Sequence, residues 1–416
     1  MFRWIFPLAL IGAASCIQAE PLSFDATLEA AVRASPDIAS QNASVEAAQA
    51  IAIAAGRLPD PKLAIGLDNV PVSGVDRWSL TRDFMTMRKI GFMQDVPNRG
   101  RRQAQTALAT ASIDRAQAER RLRVLSVRRD AALAWLTRYY LQQRTSLFDA
   151  LDRENHLFEE AVRAQLAGGR GMPADVIAPK QEAADLADRR DQLAGEIAKS
   201  NAALKRFVGN AADESIAGHP PAFNIDAEHL RSHVHEHPEL AVFVPMTQMA
   251  QAEVHEAEAM KRPDWGIELS YGDRGPEFSD MVSMQFTLGL PLFRSTRQNP
   301  QIAARRGELA RVESEREALL REHTDELESQ LAEYGAVTRQ LARLRETRMT
   351  LAQDKLRYQF ASYRAGKTDL TNVLAARREL IDQQLKEVEL QASQSATAAK
   401  LYFTYGEGAI TAEATR

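Results

Sequence analysis

The chain of 416 residues lacks several features, and each lack excludes a class of protein. Its single cysteine, Cys16, excludes a disulfide scaffold. The formal net charge of −4 gives no electrostatic reason to expect nucleic acid as a partner. No stretch beyond residue 20 approaches about 18 consecutive apolar residues, so no transmembrane helix is expected after the N-terminal segment.

Catalytic motifs are also lacking. The sequence contains no G-x-S-x-G element, no HExxH pair and no glycine-rich loop for binding phosphate. We therefore expect neither enzymatic activity nor a cofactor.

Residues 1–19 have the features of a signal peptide. Arg3 supplies a positive charge, and the apolar core WIFPLALIGAA is too short to span a bilayer. Cleavage after Ala19 and cleavage before Cys16 are both compatible with the sequence. The second would leave Cys16 as a lipid-modified N-terminus.

Two long tracts avoid helix-breaking residues. No glycine or proline occurs between Gly100 and Gly168, which predicts a helix of about 100 Å at about 1.5 Å per residue. The tract 302–363 contains no proline, and apolar residues recur every seven positions from Leu320 to Leu341, with Leu344 and Leu351 continuing the stripe. A seven-residue period indicates left-handed supercoiling against neighbouring helices.

Four short segments alternate apolar with small or polar residues, which is the pattern of β-strands. They form two predicted hairpins, each with a polar loop, and the second contains WGIELSY and MVSMQFTLGL. The spacing of Pro36 and Pro61 is 25 residues, as is that of Pro238 and Pro263, and the two pairs are offset by 202. The chain is therefore predicted to be a tandem duplication.

The predicted organisation is mainly α-helical, with a helix–hairpin–long helix–turn–helix plan used twice. The chain begins with a signal peptide (1–19) and ends with a disordered tail (406–416). The first repeat (20–210) contains a hairpin at about 63–96, a long helix at about 98–167 and a return helix at 174–208. The second repeat (211–405) contains a hairpin at about 264–291, a long helix at about 295–364 and a return helix at 368–405.

Four strands are too few to close a membrane-spanning barrel, because an open edge in lipid leaves backbone groups unpaired. A secreted chain with strands of membrane-spanning length therefore predicts a transmembrane β-barrel shared among several copies. In the last strand, Val282, Met284, Phe286, Leu288 and Leu290 should face lipid, and Ser283, Gln285, Thr287 and Gly289 the lumen. A soluble sandwich on a coiled coil remains the alternative at this point.

The whole plan resembles the TolC-type outer membrane factor family. The similarity includes LPDP before the first hairpin, PNRGRR and PLFRSTRQ before the long helices, and YRAGKTDLTNVLAARREL after the last turn. The resemblance implies a homotrimer with a twelve-stranded barrel in the outer membrane of a Gram-negative bacterium and a helical tunnel in the periplasm. It also implies a periplasmic adaptor and an inner-membrane pump as partners. LPDPKLAIGLDNVP and MRKIGFMQDVPNRGRR are most similar to the branch serving heavy-metal pumps of the resistance-nodulation-division type.

In that family the two helical turns form the inner mouth of the tunnel, where acidic side chains help to close it and the adaptor binds. At the turns the resemblance implies roles in gating and adaptor contact for Arg170, Asp175, Tyr363, Arg364, Gly366, Lys367, Asp369 and Asn372. Asp175 takes an acidic position in the first repeat, whereas Asn372 and Ala375 take the related positions in the second. The acidic ring is therefore expected to be reduced.

One histidine cluster is a candidate metal site. His229 and His233, like His233 and His237, are four residues apart, so each pair would share one helix face. Imidazoles in that arrangement bind borderline divalent metals. The alternative is a solvent-facing helix before Pro238.

The sequence thus predicts a passive exit duct for heavy-metal cations. A multidrug or type I secretion duct of the same fold is an alternative, and a periplasmic adaptor is another. Which ion leaves, and through which pump, is not encoded in any motif.

Overall fold

The computed structural model describes residues 21–169 and 172–406. The predicted signal peptide, Cys16, Arg170 and residues 407–416 of the predicted tail lie outside the described residues. The helices and strands are α1 (Phe24–Ala34), α2 (Pro36–Ala54), β1 (Lys62–Asp68), β2 (Met87–Val96), α3 (Arg99–Ala167), α4 (Ile177–Val208), α5 (Ala227–Ser232), α6 (Pro238–Ala259), β3 (Trp265–Asp273), β4 (Met281–Leu288), α7 (Gln298–Arg343), α8 (Met349–Arg364) and α9 (Leu370–Tyr405).

The described chain divides into two compact units. The sheet unit comprises residues 36–125, 226–329 and 405–406, and the turn unit comprises residues 21–35, 126–225 and 330–404. In both units, helix ends follow local sequence signals. The Ser23 hydroxyl accepts a hydrogen bond from Ala26 N (3.2 Å) at the start of α1, and Pro36 and Pro238 occupy the first turns of α2 and α6.

The sheet unit contains one four-stranded antiparallel sheet in the order β1-β2-β3-β4. Its register places apolar residues opposite one another, as in the pairs Trp265–Leu288, Ile267–Phe286 and Leu269–Met284. Because side chains alternate along a strand, these residues share one face of the sheet. Met284, Phe286 and Leu288 were predicted to share a face, whereas Leu290, which was predicted with them, lies beyond the end of β4. Leu63, Ile65, Ile90 and Phe92 belong to the same face.

The opposite face of the sheet is mainly polar or small, although Met87, Met93 and Met281 also lie on it. Lys62 Nζ lies 2.7 Å from Asp95 Oδ2, and Lys89 Nζ lies 3.0 Å from Glu268 Oε1. At the start of β3, Asp264 Oδ1 accepts hydrogen bonds from the backbone N and Nδ2 of Asn98, at 2.7 and 2.8 Å. This contact fixes the end of the first hairpin against the beginning of the second.

The turn unit is built around buried apolar side chains of α1, α3, α4 and α9. Trp135 is fully buried, its Nε1 donates to Leu22 O (3.0 Å), and its ring lies edge-on to Phe24. Further along α3, a second cluster contains Leu141, Phe148, Leu151, Leu186, Leu193 and Ile381.

The long helix predicted over about 295–364 is not one regular α-helix. A π-helical segment, Leu344–Arg348, joins α7 to α8. Such a segment inserts an extra residue and rotates the following turn. Leu344 is buried as predicted, but Leu351 is 62% exposed and Ala352 is buried in its place. The prediction that Leu351 continues the heptad stripe was therefore wrong.

Among the residues that the structure describes, every helix is too short or too polar to cross a bilayer.

Candidate functional site

The turn between α3 and α4 is organised by Asp175. Gly169 has a φ of +70°, in the left-handed region that favours glycine. After residues 170 and 171, Pro173–Val176 forms a single 3₁₀ turn. Asp175 Oδ2 accepts a hydrogen bond from Met172 N (2.9 Å), so the carboxylate caps the start of this turn.

The turn between α8 and α9 is a Schellman motif. Lys367 N donates to Ser362 O (2.9 Å), Gly366 N donates to Tyr363 O (3.0 Å), and Gly366 has a φ of +69°. Asn372 Nδ2 donates to the Thr368 hydroxyl (2.9 Å) at the start of α9. The second turn therefore has a defined backbone geometry.

An apolar cluster brings the two turns together. Val162, Leu370 and Val373 are buried in it, and the side chains packed around them are Phe158, Val176, Leu356, Tyr363 and Leu374. Burial raises the pKa of the Tyr363 hydroxyl, and the nearby negative charge of Asp175 raises it further. Of the predicted turn residues, Asp175 and Tyr363 are thus neighbours at a half-buried position.

The other predicted turn residues that the structure describes lie on the surface. Arg364, Gly366, Lys367, Asp369 and Asn372 are exposed. The described members of the predicted set therefore fall into a half-buried pair, Asp175 and Tyr363, of which Tyr363 packs against the apolar cluster, and an exposed group around the second turn.

Beside these turns, α4 and α9 border an open groove of about 510 Å³. Charged and polar side chains line it, including Gln181, Arg378, Glu379 and Asp382. Arg378 Nη2 lies 2.7 Å from Asp185 Oδ2, and Arg189 Nη1 lies 3.1 Å from Asp382 Oδ1. These ion pairs connect α4 to α9 at the surface.

One buried polar group in the turn unit was not predicted. Arg377 and Glu182 are each 7% exposed, and Arg377 Nε lies 3.9 Å from Glu182 Oε1. Arg377 Nη1 donates to Asn155 Oδ1 (3.4 Å), and its guanidinium carbon lies 5.1 Å from the centre of the Phe158 ring. Burial raises the pKa of Glu182, and the charge of Arg377 opposes that shift. Charged residues are common on exposed helix faces, so no sequence signal marked this pair as buried.

The predicted histidine set is divided in the structure. The rings of His229 and His233 lie 4.2 Å apart on and just after α5. His237 is the N-cap residue of α6 and is instead close to Glu239 and His323.

The fold is that of outer membrane channels. The chain resembles CusC (15% identity, TM-score 0.76, 92% of each chain covered) and VceC from Vibrio cholerae (20% identity, TM-score 0.76, 92% of this chain and 96% of that one). It also resembles the open state of MtrE from Neisseria gonorrhoeae (14% identity, TM-score 0.73, 92% of this chain and 88% of that one).

Residues 231–407 match the model of the outer membrane efflux protein family. Members of that family are transport channels and not enzymes, which agrees with the expectation that the chain is not an enzyme. No curated protein sequence matches the chain.

Proposed function

We propose that the chain is the protomer of an outer membrane efflux channel, and that it acts as a passive duct in a tripartite system. The observation that carries this proposal is the sheet. One face is mainly apolar across four strands, with Gln94 and the Arg88–Asp273 ion pair towards its ends, and Ile65 and Phe286 on it are 77% and 67% exposed in the single chain. An exposed apolar face that extends over four strands is unfavourable in water, and a bilayer supplies the hydrophobic environment that it needs.

The proposed channel is a homotrimer of a duplicated protomer. In the described sheet, β1 and β4 are the outer strands, and each has one edge without a strand partner. Three copies of four strands would form a closed twelve-stranded barrel, which removes every open edge. The same order of helix, two strands, long helix, turn and helix occurs in both halves, which supports the duplication.

The proposed cargo is a heavy-metal cation, and the proposed partners are a periplasmic adaptor and an inner-membrane pump of the resistance-nodulation-division type. The similarity of the first hairpin to the heavy-metal branch supports this cargo. Export of drugs, or type I secretion, fits the same fold. An adaptor function fits less well, because the chain has two hairpins in one sheet rather than one helical hairpin flanked by small β-domains.

Deletion of the gene in its Gram-negative host tests the cargo. The deletion strain is expected to become more sensitive to one or more of zinc, cobalt, cadmium, nickel, copper and silver, with unchanged sensitivity to dyes and antibiotics. Complementation with the wild-type gene should restore resistance. Sensitivity to drugs alone would assign the duct to drug efflux. Recovery of the protein in the soluble or inner-membrane fraction would refute the duct itself.

Asp175 is proposed to help close the inner mouth of the channel. A carboxylate repeated by threefold symmetry forms an acidic ring with a strong local field. The Asp175→Ala variant is expected to raise single-channel conductance in planar bilayers and to increase antibiotic leakage in cells. Asp175→Asn keeps an oxygen that can accept from Met172 N but removes the charge. If conductance rises in Asp175→Ala but not in Asp175→Asn, capping and not charge holds the mouth closed. No change in either variant would contradict the gating role.

A further inference from the structure

Three potential metal ligands converge at the start of α6 in the sheet unit. His237 precedes the helix, Glu239 lies in its first turn, and His323 lies on α7. One ligand atom from each residue lies within 4.8 Å of the other two. Both histidines are 5% exposed, whereas the Glu239 side chain is 43% exposed and leaves one side of the cluster open to solvent.

We propose that His237, Glu239 and His323 bind one divalent transition-metal ion of the Zn²⁺ class as a resident ion of each protomer. Two imidazole nitrogens and one carboxylate oxygen are a known donor set for zinc, with the fourth position left to water or another ligand. In a tetrahedral site with bonds of about 2.0 Å, neighbouring donor atoms are about 3.3 Å apart. His323 Nε2 and Glu239 Oε2 lie 3.2 Å apart, which matches that spacing.

The second nitrogen of His323 already faces partners of the kind that orient a metal-binding histidine. Its Nδ1 lies 3.4 Å from the Tyr405 hydroxyl and 3.8 Å from Glu326 Oε2. The Tyr405 hydroxyl donates in turn to Glu326 Oε2 (3.3 Å). Hydrogen-bond acceptors at the ring nitrogen that does not bind the metal fix the tautomer and the ring orientation of a ligating histidine.

Metal binding at His237 requires the exchange of its capping hydrogen bond. Its Nδ1 now accepts from Glu239 N (3.2 Å), and its ring centre lies 3.7 Å from that of His323. Binding the ion through Nδ1 replaces that hydrogen bond, and binding through Nε2 places the proton on Nδ1 and breaks it. In either case one long capping bond is exchanged for a metal–nitrogen bond.

The local electrostatics contain one opposing effect. The N-terminus of α6 carries partial positive charge, which disfavours a cation. The carboxylate of Glu239, which lies in the first turn, and that of Glu326 offset it.

The proposed site is separate from the question of which cargo the channel exports, because it concerns a resident ion and not an exported one.

Zinc titration of the full-length protein in detergent tests the proposal, with Zn²⁺ alone as the probe in isothermal calorimetry. The wild type is expected to bind one ion per protomer. Glu239→Gln and His323→Gln are expected to weaken binding at least about tenfold. His235→Gln and the double variant His229→Gln/His233→Gln are the matched controls, because they remove histidines of the same region outside the cluster, and both should bind as the wild type does.

Folding is checked by the melting temperature without zinc. Glu239 is half-exposed, so its variant keeps the test decisive if His323→Gln fails to fold. The proposal is overturned if the wild type shows no zinc binding at micromolar concentrations, if Glu239→Gln binds as the wild type does, or if only the His229/His233 variant loses binding. Because the readout is zinc affinity and not resistance, its failure leaves the channel proposal standing, and the reverse also holds.

Discussion

The Phe286→Arg variant is expected to disappear from the outer membrane, whereas Gln285→Arg is expected to assemble normally. The two residues are neighbours on β4, and their side chains point to opposite faces of the sheet. Phe286 pairs with Ile267 on the apolar face, and Gln285 pairs with Glu268 on the polar face. In the proposed barrel the apolar face meets lipid, where an arginine costs up to about 2–4 kcal/mol, the largest cost being at the bilayer midplane, and the proposed trimer carries that cost three times.

The control is close to ideal because the same residue is introduced one position away. An arginine at 285 faces Glu268, which already forms an ion pair with Lys89, so the polar face can accept it. The measurement is the amount of trimer in outer membrane fractions, judged on a gel without heating. Equal trimer levels in both variants would contradict the membrane role of the apolar face. Loss of Gln285→Arg alone would mean that the two faces are assigned the wrong way round.

The sheet could be predicted well because one rule decides it. A strand shows alternate side chains to opposite faces, so Val282, Met284 and Phe286 had to share a surface once β4 was recognised. The register then follows, since a shift by one residue would place these side chains opposite Ser270 and Glu268. The structure confirms this grouping.

The helices could be predicted in extent but not in detail. The tract after Gly100 forms α3, which ends at Ala167 as the glycines at 168 and 169 suggest. The π-helical segment at 344–348 has no glycine or proline to announce it. The segment can be recognised only from the packing of the helix, because the buried positions shift by one residue across it: Leu344 and Ala352 are buried, whereas Leu351 is exposed.

The candidate sites could also be predicted only in part, because their residues come together through packing between distant helices. Spacing of four residues indicated that His229, His233 and His237 could share a helix face. In the structure α5 ends at Ser232, and His237 instead caps the next helix. Its partner His323 is 86 positions away in the chain, and no local pattern connects the two. Contacts between distant helices depend on side-chain packing, which periodicity does not encode.

The Arg377→Met variant is expected to lose about 3–5 kcal/mol of stability at neutral pH, because it leaves Glu182 buried without its cation. Glu182 is 7% exposed, and burial already raises its pKa even with Arg377 beside it. Arg378→Met is the matched control. That neighbouring arginine pairs with Asp185 at the surface, with both side chains more than half exposed, and such pairs contribute about 0–1 kcal/mol.

The pH dependence of the loss distinguishes a buried charge from simple loss of packing. The carboxyl group of Glu182 binds its proton more tightly in the folded chain than in the unfolded one, and more so without Arg377. The stability from that proton is fully present below the unfolded pKa and is lost as the pH rises through the folded pKa. Arg377→Met should therefore recover part of its thermal stability in acid, and the double variant Arg377→Met/Glu182→Leu should recover most of it at neutral pH. If the melting temperatures of the purified variants show neither recovery, the loss comes from the contacts of Arg377 with Phe158 and Asn155 and not from the charge left behind.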